Sequence, residues 1–198
     1  MVIDGIYYAL GLLAGGALTG YLTKPALSIP FVILALFCLW FFRDPDRTIP
    51  AGPVAVSPAD GKVVAIVPAN GQTRVSIFLN VFDVHVNRSP IAGKITKVEY
   101  KTGKFLVASK PEATTDNEQN FITVEGPYGK IVFSQIAGLI ARRIICYKKP
   151  GDAVQAGERV GYIKFGSRVD IFFPPEWKIE VSEGQRVSAG SDILARRK

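Results

Sequence analysis

The chain has 198 residues, and 48% hydrophobic against 21% charged residues excludes a disordered chain and leaves room for one domain with an appendage. Lys and Arg number 24 against 17 Asp and Glu, a net charge of +7. One histidine, His85, and two cysteines, Cys38 and Cys146, barely fill a single zinc site and make no disulfide framework, so the cysteine usage reads as a reducing compartment.

The apolar residues are concentrated at the front. Residues 5–23 hold no charge, Lys24-Pro25 interrupts, and residues 26–42 again hold none. As helices these runs would be roughly 28 and 26 Å long, close to the ~30 Å hydrocarbon core of a bilayer. Gly11, Gly15, Gly16 and Gly20 in the first run let two helices approach closely in lipid. The sequence therefore predicts a membrane-associated helical hairpin over residues 1–42, either spanning the bilayer or entering one leaflet. A buried hairpin of a soluble protein would carry charge on at least one face. The first residues lack the basic region of a cleaved signal peptide. Arg43 and Arg47 follow at once, which places residues 43–198 on the cytoplasmic side of the cell membrane.

Asp4 and Lys24 cancel, so the whole positive charge lies in residues 43–198. A basic domain tethered there is drawn to anionic lipid head groups. No nucleic-acid motif accompanies the charge. Short β-branched runs at residues 62–67, 74–79, 94–100, 121–124, 130–133 and 170–173 alternate with Gly and Pro, which predicts a mainly β domain, sandwich-like or barrel-like. Residues 135–147 fit a short helix or a strand pair. Residues 111–119 are polar and read as a loop. There is an internal echo: Gly151, Val154 and Gly157 recur as Gly184, Val187 and Gly190. This G-x-x-V-x-x-G pattern resembles the hammerhead turns of barrel-sandwich hybrid folds. The segment from Ser57 through Asp60, Gly61 and Val63 is another turn-then-strand unit.

Gly166-Ser167 sits between two strand-like runs. A Gly-Ser pair is ordinarily a turn. Glycine before serine also has a specific use, because a residue without Cβ adopts strained backbone geometry and leaves its carbonyl open to attack. The serine oxygen attacks that carbonyl and the amide becomes an ester. β-Elimination then cuts the chain, and hydrolysis of the dehydroalanine leaves a pyruvoyl group.

Four ordered segments carry a resemblance. They are Ser57 to Gly61, Phe82 to Pro90 (with Asp83, His85, Asn87 and Arg88), Glu118-Gln119-Asn120, and Phe165-Gly166-Ser167-Arg168. With the apolar hairpin, they resemble the phosphatidylserine decarboxylase proenzymes, in the short, archaeal-like, pyruvoyl-dependent branch, over residues 41–198. The resemblance implies self-cleavage between Gly166 and Ser167, giving a β chain of residues 1–166 and an α chain of residues 167–198. The two would stay together as a heterodimer or within a higher oligomer. Ser167 becomes the pyruvoyl cofactor, forms a Schiff base with the amine of phosphatidylserine, and serves as electron sink while CO₂ leaves and phosphatidylethanolamine forms.

The resemblance also implies an Asp60-His85-Ser167 arrangement, in which a carboxylate orients the imidazole that activates the hydroxyl. There is one departure. Longer members carry two histidines, as Asp-x-His-x-x-His-x-Pro; here His85 takes the place of the first and Arg88 that of the second, the one assigned to self-cleavage. Either His85 serves both steps, or Asp60 acts on Ser167 directly or through water. Arg88, Arg168 and Arg142 (with its neighbour Arg143) are candidates for the substrate anion. Glu118, Gln119 and Asn120 would line the site without an assigned step.

The main rival is a membrane-tethered barrel-sandwich hybrid carrier without catalysis. It needs a modifiable lysine in Met-Lys-Met or Asp-Lys-Ala, and neither tripeptide occurs. A metallopeptidase needs more than one histidine, and a decarboxylase of a soluble amino acid gives no reason for the apolar hairpin.

Overall fold

The front of the chain folds as the charge-free runs predict. The structure is a computed structural model that describes residues 1–108, 110, 112–139, 143–164 and 166–198. It divides into two units, Met1–Asp46 and Arg47–Lys198.

In the first unit, α1 (Ile3–Leu22) has Asp4 in its first turn, where a carboxylate suits the helix dipole. Lys24 precedes Pro25 and is extended, as the residue before a proline prefers, so the helix stops there. A 3-10 turn (Pro25–Ser28) leads into α2 (Ile29–Phe41). The legs close because Gly16 lacks a side chain: a Cβ there would lie 2.8 Å from Cβ of Phe31. The Val2 N–H donates to the Phe42 carbonyl at 2.9 Å and joins the open ends. Outward positions such as Leu10, Leu18, Ile33 and Leu36 are apolar and exposed. α1 is long and apolar enough to cross a membrane. α2 has 13 residues and is shorter than the run that encodes it, because residues 25–28 wind as 3-10 helix.

The second unit is mainly β. Its strands are β1 (Val54–Val56), β2 (Gly61–Ala69), β3 (Gln72–Leu79), β4 (Val86–Arg88), β5 (Gly93–Lys101), β6 (Gln119–Gly126), β7 (Gly129–Ile136), β8 (Ile144–Cys146), β9 (Ala153–Val154), β10 (Arg159–Ile163), β11 (Ser167–Phe173), β12 (Trp177–Ile179), β13 (Arg186–Val187) and β14 (Ile193–Arg197). One eight-stranded sheet runs β13-β2-β3-β11-β7-β6-β5-β9, and two three-stranded sheets run β1-β14-β12 and β4-β10-β8. All named pairings are antiparallel. Ile77, Ile122, Phe133, Val169, Ile171 and Phe173 fill the core. Residues 135–147 hold the end of β7 and β8, with residues 140–142 outside the described set. The polar segment 111–119 contains a one-turn helix, α3 (Ala113–Asp116), before β6 begins at Gln119.

The strand order reads as a palindrome, since the unit is two similar halves. β1–β3 with β11–β14 form one half, and β4–β10 form the other. Corresponding ladders share their irregularities: β2 bulges between Val63 and Ala65 against β3, and β5 between Ile95 and Lys97 against β6. Corresponding turns share their bonds. The Gly184 N–H donates to the Val63 carbonyl and the Gly151 N–H to that of Ile95, both at 2.8 Å. The Gly190 N–H donates to Ser57 and the Gly157 N–H to Ser89, again both at 2.8 Å. The G-x-x-V-x-x-G echo is thus the visible part of a larger repeat. The halves meet at β7 and β11, where Phe133 faces Ile171 across the ladder.

Truncating a side chain at that junction should be costly. Phe133→Ala is expected to lower the unfolding free energy of the full chain by about 3–5 kcal/mol in denaturant titration. Lys130→Ala, exposed on the same strand, should stay within about 0.5 kcal/mol.

Candidate active site

Ser167 opens β11, where it pairs with Leu79 at the end of β3. It is fully buried, and its hydroxyl has no hydrogen-bond partner among the described residues. An unpaired buried hydroxyl costs roughly 1–3 kcal/mol, a common mark of a reactive position. Gly166 before it has φ of +69°, in the left-handed region that glycine enters without penalty. A Cβ on Gly138 would lie 2.2 Å from the Gly166 carbonyl oxygen and 3.3 Å from Cβ of Ala108. The carbonyl next to Ser167 is therefore seated against bare backbone. Asn117 secures this wall: its amide nitrogen donates to the Leu106 and Ala137 carbonyls, both at 2.8 Å, and its oxygen accepts from the Leu106 N–H at 2.9 Å.

His85 lies on the other side of the junction, just before β4, with 2% exposure. The Gly166 N–H donates to its Nε2 at 3.1 Å, and its Nδ1 lies 2.9 Å from the Asp83 carbonyl. This pattern assigns the proton to Nδ1 and leaves the Nε2 lone pair facing the Gly166-Ser167 segment. The group that orients the ring is thus a main-chain carbonyl. Asp83 is itself held firmly: its carboxylate accepts from the Asn80 N–H at 2.9 Å and pairs with Arg186.

Asp60 precedes Gly61 in the turn before β2. Arg47 donates to both of its oxygens at 2.9 Å, and the Ala189 N–H donates to Oδ1 at 2.8 Å. Burial pushes its carboxyl above the ordinary carboxylate value, against the lowering effect of the Ala189 amide and the Arg47 guanidinium. The structure thus brings His85 to the Gly166-Ser167 junction, and engages the Asp60 carboxylate with Arg47 and Ala189.

The arginines divide. Arg168 is turned inward: Nε donates to Asp170 Oδ1 at 2.6 Å, Nη2 to Ser76 at 2.7 Å and Nη1 to the Lys110 carbonyl at 3.4 Å. Arg88 is buried and donates from Nη1 to the Gly157 carbonyl at 2.9 Å. Arg142 and Phe165 lie outside the described residues. Glu118 accepts from the Tyr100 hydroxyl, and the Gln119 amide donates to the Thr114 carbonyl at 2.7 Å. Asn120 donates to Gln135 at 3.0 Å, and Gln135 donates to Asn87 at 2.9 Å, a buried amide chain.

Sequence reasoning did not single out Gly138, Asn117 or the orienting role of Asp83. The repeat offers a signal for the site as a whole. Between the halves, His85 falls on Pro53, Asn87 on Ala55, Arg88 on Val56, Ser167 on Gly129 and Asp60 on Ala92. The candidate residues are where two similar halves differ in chemistry.

Comparison with known proteins gives the same class. The sequence profile of the family described as Phosphatidylserine decarboxylase matches residues 34–195. The chain is 66% identical to a phosphatidylserine decarboxylase proenzyme of Solibacter usitatus (strain Ellin6076) over 197 residues, which cover 100% of this chain and 97% of the relative. It is 49% identical to a phosphatidylserine decarboxylase proenzyme of Burkholderia multivorans (strain ATCC 17616 / 249) over 174 residues, 84% of this chain and 81% of the relative. By kinship the chain falls among decarboxylase proenzymes, a class of lyases. It belongs to the phosphatidylserine decarboxylase family.

Two outcomes test the geometry. Gly138→Ala forces a methyl group against the Gly166 carbonyl oxygen. It should slow any cleavage at this junction at least tenfold, followed on denaturing gels, while Gly71→Ala, where a Cβ meets open space, serves as a turn control. Arg47→Ala removes a lowering influence from Asp60 and should move its titration further upward, read by carboxyl NMR. The folded state would then keep a proton that the unfolded chain loses near pH 4. Stability should therefore fall as pH rises from about 4 through the folded value.

Proposed function

We propose that this chain decarboxylates phosphatidylserine to phosphatidylethanolamine, after cutting itself between Gly166 and Ser167 to make its own pyruvoyl group. The observation that carries the reading is the buried, unpartnered Ser167 hydroxyl beside a left-handed Gly166 whose N–H is held by His85.

In this reading His85 Nε2 exchanges the Gly166 N–H for the Ser167 hydroxyl and so becomes the base at the junction. It takes the Ser167 hydroxyl proton as the oxygen attacks the Gly166 carbonyl. The C–N bond breaks as the ester forms, and the proton passes to the freed amine. Loss of the Ser167 Cα proton then expels the Gly166 carboxylate, and water replaces the nitrogen as ammonia. The pyruvoyl carbonyl supplies the electron sink for loss of CO₂. Asp83 holds the tautomer of His85. Arg168, tied to Asp170 and Ser76, positions the residue that follows the cut. Arg88 and Arg142 remain candidates for the substrate anion, and Asp60 for a supporting role in cleavage.

The fold supports retention of both pieces. Residues 167–198 supply β11 between β3 and β7, β14 between β1 and β12, and β13 against β2. These ladders hold the α chain without a covalent link, as a heterodimer or part of a higher oligomer. Residues 1–42 act as the membrane anchor, residues 43–198 as the catalytic domain on the cytoplasmic face of an anionic membrane. The carrier reading is not favoured, since the family is one of decarboxylases.

Purified protein should show two chains on a denaturing gel, the smaller one roughly 3.5 kDa and blocked at its N-terminus. Ser167→Ala should remain a single chain and lose decarboxylation by at least about a thousandfold. His85→Ala separates the roles: an uncut chain assigns the imidazole to both steps, and a cut but inactive enzyme assigns it to decarboxylation alone. Turnover by the uncut Ser167→Ala chain would overturn the reading.

A further inference from the structure

Three loops converge on the Gly166-Ser167 junction, and each presents apolar side chains to solvent. The first is the turn 80–83, between Leu79, which pairs with Ser167, and His85. At its tip Phe82 is 68% exposed and Val81 37% exposed. The second lies beside Gly138 through Ala108, whose Cβ is 3.3 Å from where a Gly138 Cβ would sit, and carries Val107, 40% exposed. The third reaches the Gly166 carbonyl through Gly138 and carries Leu139, 56% exposed.

The tip of the first loop is locked in place. The Phe82 N–H donates to Asn80 Oδ1 at 2.8 Å, the Asn80 N–H to Asp83 Oδ2 at 2.9 Å, and the Asp83 N–H to the Asn80 carbonyl at 3.0 Å. Arg186 pairs with Asp83 from outside the turn. Such bonding fixes the backbone that carries the exposed Phe82 side chain. Exposed apolar side chains on loops that meet at one junction are candidates for an interaction surface. Lys110, on the same segment as Val107, is exposed and basic, as is Lys104, whose ammonium pairs with Asp116 at 3.0 Å.

We propose that Phe82, Val81, Val107 and Leu139 form an apolar rim that dips into the interface of an anionic phospholipid bilayer, with the two lysines at head-group level. This rests on the reading that the junction acts on phosphatidylserine, and it adds how that substrate is presented. A lipid amine can then reach residue 167 while the acyl chains stay in the bilayer. Apolar rings and aliphatic side chains gain from this depth, and lysines gain from the anionic surface. The rim draws on other residues than the hairpin of residues 1–42.

The test uses the full, processed chain and two forms of the substrate: phosphatidylserine in phosphatidylcholine vesicles, and a short-chain phosphatidylserine below its micelle concentration. Phe82→Asp and Leu139→Asp, each alone, should lower kcat/KM on vesicles by about tenfold or more, mainly through KM, because a charge opposes entry into the interface. On the monomeric substrate each should stay within about twofold of the parent, and cleavage into two chains should be complete. Phe82→Trp should keep vesicle activity and be quenched by brominated lipid above the background of Trp40 and Trp177. Equal losses on both substrates would overturn the proposal by making the rim part of the substrate pocket or the fold. Unchanged vesicle kinetics, or a Phe82→Trp fluorescence signal blind to brominated lipid, would also overturn it. A parent protein that is uncut, or turns over neither substrate, would instead sink the reading on which the rim depends.

Discussion

A main-chain N–H ordinarily donates to a carbonyl or to water, and that of Gly166 donates to the Nε2 of a buried histidine. This single bond ties the loop entering β11 to the segment before β4. It goes with a Gly166 at positive φ and a proton on Nδ1, while the carbonyl of the same residue lies where a Gly138 side chain would be. The next residue, Ser167, is buried with a hydroxyl that has no partner among the described residues. A chain selected for stability alone would place an alanine or a paired threonine there. A buried hydroxyl without a partner among the described residues, on the residue after a glycine held by an imidazole, is what a self-cutting reaction needs and a structural turn does not.

The two-fold repeat explains how so demanding a junction is supported. Each half supplies the same scaffold of bulged hairpin, short glycine-bounded turn and three-stranded layer. The halves share the central ladder β7-β11, so the strand that begins at Ser167 is flanked on both sides by other strands. Rigidity comes from elements present twice. Chemistry comes from positions where the copies diverge. That separation lets a proline become a histidine and a glycine become a serine without disturbing the frame.

Much of this was legible in the sequence. The hairpin was visible because helices without charge on any face are rare outside lipid, and the strands because β-branched runs alternate with turn residues. The G-x-x-V-x-x-G echo was visible too, but its companion, Ser57-Pro58 with Gly61-Lys62 against Ser89-Pro90 with Gly93-Lys94, was obscured by the differences that make the site. Other features leave no local trace. Arg168 reads only as a candidate for the substrate anion, and its bonds to Ser76 and Asp170 emerge only with the register of β11 against β3. Gly138 reads as an ordinary loop glycine until the Gly166 carbonyl is found against it. The orienting group behind His85 is a carbonyl, which every residue has.

That last point bears on the departure at Arg88. A guanidinium stays charged at any functional pH and cannot accept a proton, and Arg88 also donates to the Gly157 carbonyl. Asp60 is engaged by Arg47 and the Ala189 amide. In the proposed reading, one imidazole then has to serve first the cut and later the lipid. A base used in both steps must return to a neutral form with its lone pair aimed at residue 167. A carboxylate on Nδ1 would favour the imidazolium. The Asp83 carbonyl fixes the same tautomer without that charge, and the carboxylate of Asp83 is turned to Arg186 instead. In that reading, a backbone carbonyl on Nδ1 suits a single histidine that has to act twice.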